Sequence, residues 1–377
     1  MKFTVPSKQF YNTISAVSKV INSKNALQIL DNFLITLRGN KLTISAMDVE
    51  NYLQATVEVP EAEGEGSFCL NATRLIELFK EIPDQGVKVE ISDNLNVHIA
   101  FGSGEAEFIA LPAVEYPAYE KAKEDEGSDP VVFQALASQF VNGIDNTIFA
   151  TNTDDYRAVM MGIFTEIKPD GITFVATDTR KLVRYCDNRH RPGVTASCIL
   201  PTKPANILRN VFTGDELINV RMTSRSAEFS NEKFVFNCRF ILGNFPDYTR
   251  VIPRNNNFVL TVDRQLLAKT VSRVSLSCDK GYNLEKFHIQ PDKMTIKADD
   301  MNLMTKGREE IPCSFTGDDL IIGFSGKHLG EILNVLKSED ITVRLGDASR
   351  PGIFEPTENP ADTSILILLM PMTVGEF

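Results

Sequence analysis

Several signatures that mark enzymes, metal proteins and membrane proteins are missing from this chain. No unbroken run of about 18 apolar residues occurs, so no membrane-spanning helix is expected. The opening MKFTVPSKQF lacks the apolar stretch of a secretory signal, which points to the cytoplasm. The six cysteines (Cys69, Cys186, Cys198, Cys238, Cys278 and Cys313) form no C-x-x-C pair. They read as reduced thiols, not as a disulfide framework or a zinc site. The four histidines (His98, His190, His288 and His328) have no H-E-x-x-H or other metal spacing, so neither metal nor other cofactor is expected. Neither G-x-x-x-x-G-K nor G-x-G-x-x-G is present; GEGSF at 64–68 opens no helix and reads as a turn. A net charge of −11, taken alone, argues against a nucleic-acid partner.

What is present suits a folded protein. The chain has 377 residues, 43% hydrophobic and 24% charged, enough for two or three domains. It also repeats itself. LTISAMDVENYL (42–53), ITFVATDTRKL (172–182) and MTIKADDMNLM (294–304) each run from an alternating apolar stretch into an acid, at Asp48, Asp178 and Asp300. SKQFYNTISAVSKVI (7–21), LASQFVNGIDNTIF (136–149) and DRQLLAKTVSRVSL (263–276) recur at nearly the same period. So do LNATRLIELFKEI (70–82), LPTKPANILRNVF (200–212) and FSGKHLGEILNVL (324–336), and YPAY (116–119) answers FPDY (245–248). The chain therefore holds three copies of one unit, expected at 1–121, 122–253 and 254–377. The intervening stretches EKAKEDEGSDP (120–130) and PRNNNF (253–258) have linker composition.

Each unit carries two helical patterns among short strands. Phe10, Ile14, Val17 and Ile21 form one apolar stripe, and Leu75, Leu78, Phe79 and Ile82 another, preceded by Asn71 and Thr73 as expected caps. FLITLRGNKLTISAMD (33–48) reads as a hairpin turning at RGNK; VKVEISDNLNVHIAF (87–101) and ITVRLGD (341–347) also read as strands. The fold class is α+β, with two helices packed on antiparallel sheet in each unit.

An acid at a strand end suggests chemistry at Asp178, with Arg180 and His190 as companions. Three such acids at domain period favour a plainer role, in which each closes a turn by accepting from nearby backbone N–H groups. No nucleophile–base pair, metal set or phosphate loop supports an enzyme.

The six helical windows 7–21, 71–82, 136–149, 201–212, 263–276 and 325–337 contain eleven Lys and Arg against five Asp and Glu, although the whole chain stands at −11. A basic helical face on an acidic body attracts phosphates while discouraging loose association. Six helices lining a ring at about 10 Å spacing leave a hole of roughly 9 Å. A duplex, whose grooves are together about 16 Å deep, does not fit; twelve helices leave roughly 28 Å, and it does. Two chains in a closed head-to-tail pair meet that requirement.

At NFPDYTRVIP (244–253), ATDTRKL (176–182), MPM (370–372) and the opening MKFTV, the sequence resembles the β subunit of bacterial DNA polymerase III, the replication sliding clamp. The resemblance spans essentially the whole chain. It implies a homodimeric ring of six similar domains, helices inward and sheets outward, without catalytic activity. Such a ring slides on duplex DNA without sequence readout. It tethers the replicative polymerase and other partners through short peptide motifs, and a separate ATP-driven clamp loader opens it. The alternative is a peptide-binding scaffold that never encircles DNA.

For the partner-peptide cleft the resemblance implies Met160, Thr177, Thr179, Arg180, Lys181, Leu182, Pro246, Arg250 and Val251. From the third unit it implies Tyr282, Ser325, His328, Leu368, Leu369, Met370, Pro371 and Met372. Met160, Leu182, Val251, Met370 and Met372 suit an adaptable apolar pocket. Arg180, Lys181 and Arg250 suit peptide carbonyls or acids. The family often has Gly-His-Arg-Leu where this chain has Thr179-Arg180-Lys181-Leu182, and the tail TVGEF (373–377) is expected to cover or extend the cleft. SRPGIFEPTENPAD (349–362) reads as a loop beside it. For DNA, the resemblance implies Lys24, Lys203 and the Arg157 loop, to which the helix bases Arg209, Lys269, Arg273 and Lys327 are added. Phe108 and Leu276 match dimer-interface positions, with AEFIAL (106–111) as an edge strand.

Overall fold

The computed structural model describes residues 1–120 and 129–375. Most of the expected 120–130 linker and the last two residues of the tail lie outside the described residues.

Among the described residues six α-helices occur in three pairs: α1 (Ser7–Val17) and α2 (Ala72–Glu81), α3 (Ala137–Thr147) and α4 (Thr202–Val211), α5 (Arg264–Val274) and α6 (Gly326–Val335). The α1 stripe is as its spacing predicts: Phe10, Ile14 and Val17 are buried, and Phe10 meets Phe79 of α2 with ring centroids 4.7 Å apart. Asn71 caps α2 by accepting from the Arg74 N–H at 3.1 Å. Thr73 lies inside the first turn and caps nothing. Asp263 and Ser325 cap α5 and α6 in the same manner.

Every strand pairing among the described residues is antiparallel, in sheets of five, nine, nine and four strands. The RGNK turn joins Asn32–Arg38 to Lys41–Met47, and Gly39 takes the positive φ of 54° that the tight turn requires. Sheets run from one repeat into the next. Asn51–Glu58 pairs with Phe234–Arg239, and Lys181–Asp187 with Thr363–Leu369. The chain accordingly forms two compact units that cut across the repeats: 1–141 with 203–240, and 142–202 with 241–377.

One expectation is corrected. The proline-rich 349–362 segment contains a strand, Gly352–Pro356, paired on both sides within a nine-stranded sheet. Pro351 and Pro356 bound it, where a missing N–H is tolerated. Ile353 and Phe354 are buried between them, and their apolar area decides the conformation.

Candidate functional site

The three repeated acids make the same turn. Asp48 Oδ1 accepts from the N–H of Glu50 and Asn51 at 2.8 and 2.7 Å. Asp178 Oδ1 accepts from Arg180 and Lys181, both at 2.9 Å, and Asp300 Oδ1 from Asn302 and Leu303 at 2.8 and 3.0 Å. Each acid closes the strand-to-strand connection with its own carboxylate.

The Asp178 turn carries further bonds of its own. Thr179 has φ 76°, an outlier for a β-branched residue. It is fixed by its N–H donating to Thr177 Oγ1 at 3.1 Å, while that hydroxyl donates to the Lys181 carbonyl at 2.8 Å. Lys181 turns inward: its side chain is 4% exposed and its Nζ reaches Asp178 Oδ2 at 2.6 Å and Glu331 Oε2 at 3.0 Å. The same Nζ lies 3.1 Å from His328 Nδ1 on α6. Burial alone would raise the Asp178 carboxyl, but the Lys181 ammonium and the two backbone donors hold it below the usual carboxylate range. Lys181 thus ties the turn to α6, which corrects its expected role as an outward peptide contact.

Around this turn lies an apolar floor. Val175, Leu182, Ile353, Leu366 and Leu368 form one buried cluster, with Phe164, Phe245, Tyr248 and Ile252 packed on it. Leu182 and Leu368 face each other in register. The FPDY motif is anchored here: Phe245 stacks on Phe164 at 5.0 Å, and the Tyr248 hydroxyl donates to Glu166 at 3.4 Å. The next residues, Arg250 and Val251, remain exposed. The Arg250–Asp247 ion pair, 2.8 Å but solvent-exposed, holds the side chain only weakly.

The third-unit residues meet the same turn. Met370 N–H donates to the Arg180 carbonyl at 2.8 Å, and Met372 N–H to the Gly323 carbonyl at 2.8 Å. MPM is therefore fastened between the Asp178 turn and the Leu320–Ser325 strand. Ser325 caps α6, whose first turn presents His328, and Tyr282 stands exposed on the adjoining loop. Leu369, by strand alternation, faces away from Leu368 and is buried on the opposite side of the sheet. Met160, Thr179, Arg180, Pro246, Val251, Tyr282 and Met370 keep accessible surface; Thr177, Lys181, Leu182 and Leu368 form the support beneath.

The candidate DNA residues divide into two sets. Lys24, Arg157, Lys269 and Lys327 are exposed. Lys203 is instead drawn inward, donating to Asp48 Oδ2 at 2.6 Å, to the Val20 carbonyl at 2.7 Å and to Asn22 Oδ1. Arg273 forms a two-point pair with Glu309 at 2.6 and 2.7 Å, and Arg209 is half-buried. These bonds offset much of the charge that sequence counting credited to Lys203 and Arg273. Phe108 lies on Gly104–Ile109, the edge strand of the five-stranded sheet, and Leu276 is 84% exposed after α5.

Sequence reading missed Glu331, the α6 carboxylate that completes the Lys181 cluster, and Asp48 as the partner of Lys203. Glu331 follows His328 by one helical turn, which was the available signal. No group of three or more potential metal ligands occurs among the described residues.

Three family models match in order along the chain. The N-terminal, central and C-terminal domain models of the DNA polymerase III beta subunit cover residues 1–120, 136–247 and 249–373. A beta sliding clamp from Pseudomonas putida is 24% identical over 378 residues, covering 98% of this chain and all of the relative. One from Caulobacter vibrioides is 26% identical over 389 residues, with 99% and 100% covered. Among solved structures, the Thermotoga maritima DNA polymerase III beta subunit superposes with TM-score 0.90 at 25% identity, over 99% of this chain and all of that one. A Pseudomonas aeruginosa sliding clamp bound to griselimycin superposes with TM-score 0.91 at 24% identity and the same coverage.

Proposed function

The chain belongs to the DNA polymerase III beta-subunit family, and from that premise we propose that it acts as a DNA sliding clamp: a homodimeric, head-to-tail ring of six repeats closed around duplex DNA. The match of all three beta-subunit domains, in order and over nearly the full length, carries this reading. The units are taken as 1–121, 122–253 and 254–377. The protein catalyses nothing itself; it works in the cytoplasm and holds the replicative polymerase, the clamp loader and other DNA-processing proteins by short peptides. Those peptides lie over the Leu182–Leu368 floor. An apolar side chain enters beside Val251 and Met370, and Arg180 and Arg250 meet carbonyls or acids at the rim. The exposed Lys24, Arg157, Lys269 and Lys327 supply the sequence-independent phosphate contacts, with Arg209 secondary. Phe108 and Leu276 close the ring. Topological linkage makes strong DNA contacts unnecessary, which reconciles a DNA role with the net charge of −11.

Retention on DNA tests this. The protein is loaded onto nicked circular plasmid with its own organism's loader and ATP and washed in high salt, and half the sample is linearised. Phosphate contacts alone weaken steeply in salt on either form. Retention on the circle with loss from the linear form is the expected result. Equal loss from both, with a control clamp retained on its circle, would overturn the ring and leave a scaffold that binds peptides only.

A further inference from the structure

Positions that build the proposed cleft in the second unit have counterparts about one repeat earlier, and the first unit folds them into a pocket of its own. Strand register sets the correspondence. Met47 pairs with Tyr52 as Thr177 pairs with Leu182, and Asn51 sits opposite Cys238 as Lys181 sits opposite Leu369. Leu30, Met47, Val49, Pro117 and Arg239 therefore answer Met160, Thr177, Thr179, Pro246 and Met370. Together with Leu27 they line a cavity of about 200 Å³.

Three differences decide what this pocket can hold. Tyr52 stands where the cleft has Leu182, and its ring stacks on Tyr119 at 4.9 Å. That stack fills the depth and leaves a shallow site. Leu27 and Val49 are 56% and 78% exposed, an apolar rim already in water. Arg239 replaces Met370, and its Nε–H is buried without a hydrogen-bond partner among the described residues. Two carboxylates share the lining: Asp48, which is already satisfied by Lys203, and Glu120, which is exposed to solvent. The Arg239 guanidinium itself lines the pocket, and a carboxylate that enters there forms a charge-assisted bond with it.

We propose that this pocket is a second docking site, taking a short extended peptide of a partner protein that lays an aliphatic side chain on Leu27 and Val49 and a carboxylate side chain on Arg239. The proposal rests on the peptide-cleft reading of the second unit, whose architecture it transfers. A shallow site whose one guanidinium is shared with the Glu120 carboxylate in the lining binds weakly by itself and gains its effect when the same partner holds a second contact.

Methyl-resolved NMR of the full chain, labelled at Met, Leu and Val, tests it. The probes are acetyl-Leu-Glu-Leu-amide and acetyl-Leu-Gln-Leu-amide, titrated to about 10 mM because weak binding is expected. Met47 reports the pocket and Met370 reports the cleft. The expected result is a saturable Met47 shift with the Glu peptide and about fivefold weaker binding of the Gln peptide. Val49→Asp, at a position 78% exposed and outside the core, should abolish the Met47 shift and leave the Met370 spectrum unchanged. Arg239→Gln should erase the preference for Glu. A silent Met47, or equal affinity for both peptides, would overturn the proposal. So would a Met47 shift that follows protein concentration without peptide, since the occupant would then be a second copy of the chain. Failure of the cleft reading shows separately, as a Met370 that responds to neither peptide.

Discussion

Glu285 is fully buried, and its two oxygens fare differently. Oε1 accepts from Ser275 Oγ at 2.5 Å, whereas Oε2 has no partner among the described residues. Burial pushes the carboxyl up to about 7, against the smaller lowering effect of the Ser275 bond. Gly326 packs so closely on the bonded oxygen that a Cβ there would stand 2.5 Å from Oε1. The folded-state value lies above the unfolded one, so this group's contribution to stability is complete below the ordinary carboxylate range. It is lost as pH rises through about 7. Glu285→Gln keeps the shape and removes the titration. Thermal unfolding followed from about pH 5 to about pH 8 should show wild-type stability falling by roughly 2–3 kcal/mol more than the variant's. Parallel curves for the two proteins would reject this. Nothing in the sequence marked Glu285, which sits in an ordinary alternating strand; its burial depends on the packing of α5 and α6 above it. Asp178 was more legible, because three acids at one period announce a shared turn. The inward course of Lys181 was not, because its second carboxylate, Glu331, lies 150 residues away in sequence.

Elements show the same division between local signals and distant ones. Helices α1 and α2 were readable from apolar spacing and the Asn71 cap, and the RGNK hairpin from its turn residues. Gly352–Pro356 was not, since two prolines outweigh a short Ile-Phe pair in any local reading, and only the flanking strands supply its hydrogen bonds. Phe354 measures what tertiary packing contributes there. It is buried against Phe324, ring centroids 5.8 Å apart. Phe354→Ala should cost about 3–4 kcal/mol in denaturant unfolding, the usual loss for a buried aromatic ring. A cost below about 1 kcal/mol would return the segment to the status of a surface loop. The turn-to-α6 clasp makes a second test at this scale. Lys181→Gln leaves Asp178 and Glu331 facing each other without a cation, and both are partly screened by solvent. A loss of about 2 kcal/mol at neutral pH is expected. Because the Asp178 carboxyl is held low by Lys181, the wild-type advantage is present above the usual carboxylate range and fades as pH falls through the lowered value. Chemical denaturation of both proteins at neutral and acid pH would show the difference narrowing in acid; a gap that widens in acid is incompatible with the clasp.

For the whole molecule, the sequence alone gave the three-unit organisation, because duplicated units keep their spacing even where identities fade. It could not give the two-unit division, since sheets that run from one repeat into the next join residues more than 150 positions apart. The proposed ring adds a demand that no single chain meets: two copies must close on each other. Leu276 is 84% exposed after α5, a large apolar side chain with little reason to face water in an isolated protomer. Its place in the proposed interface explains that exposure, and Phe108, on an unpaired sheet edge, offers the complementary kind of surface. A charge at Leu276 meets no resistance in the monomer and a desolvation cost in the dimer. Leu276→Asp should therefore unfold at the wild-type temperature and still bind peptide at the cleft. Sedimentation should find it monomeric at concentrations where wild type is dimeric, and it should wash off circular plasmid as readily as off linear. If the variant remains dimeric, Leu276 lies outside the closing surface. If it becomes monomeric yet stays on the circle in high salt, retention does not come from encirclement.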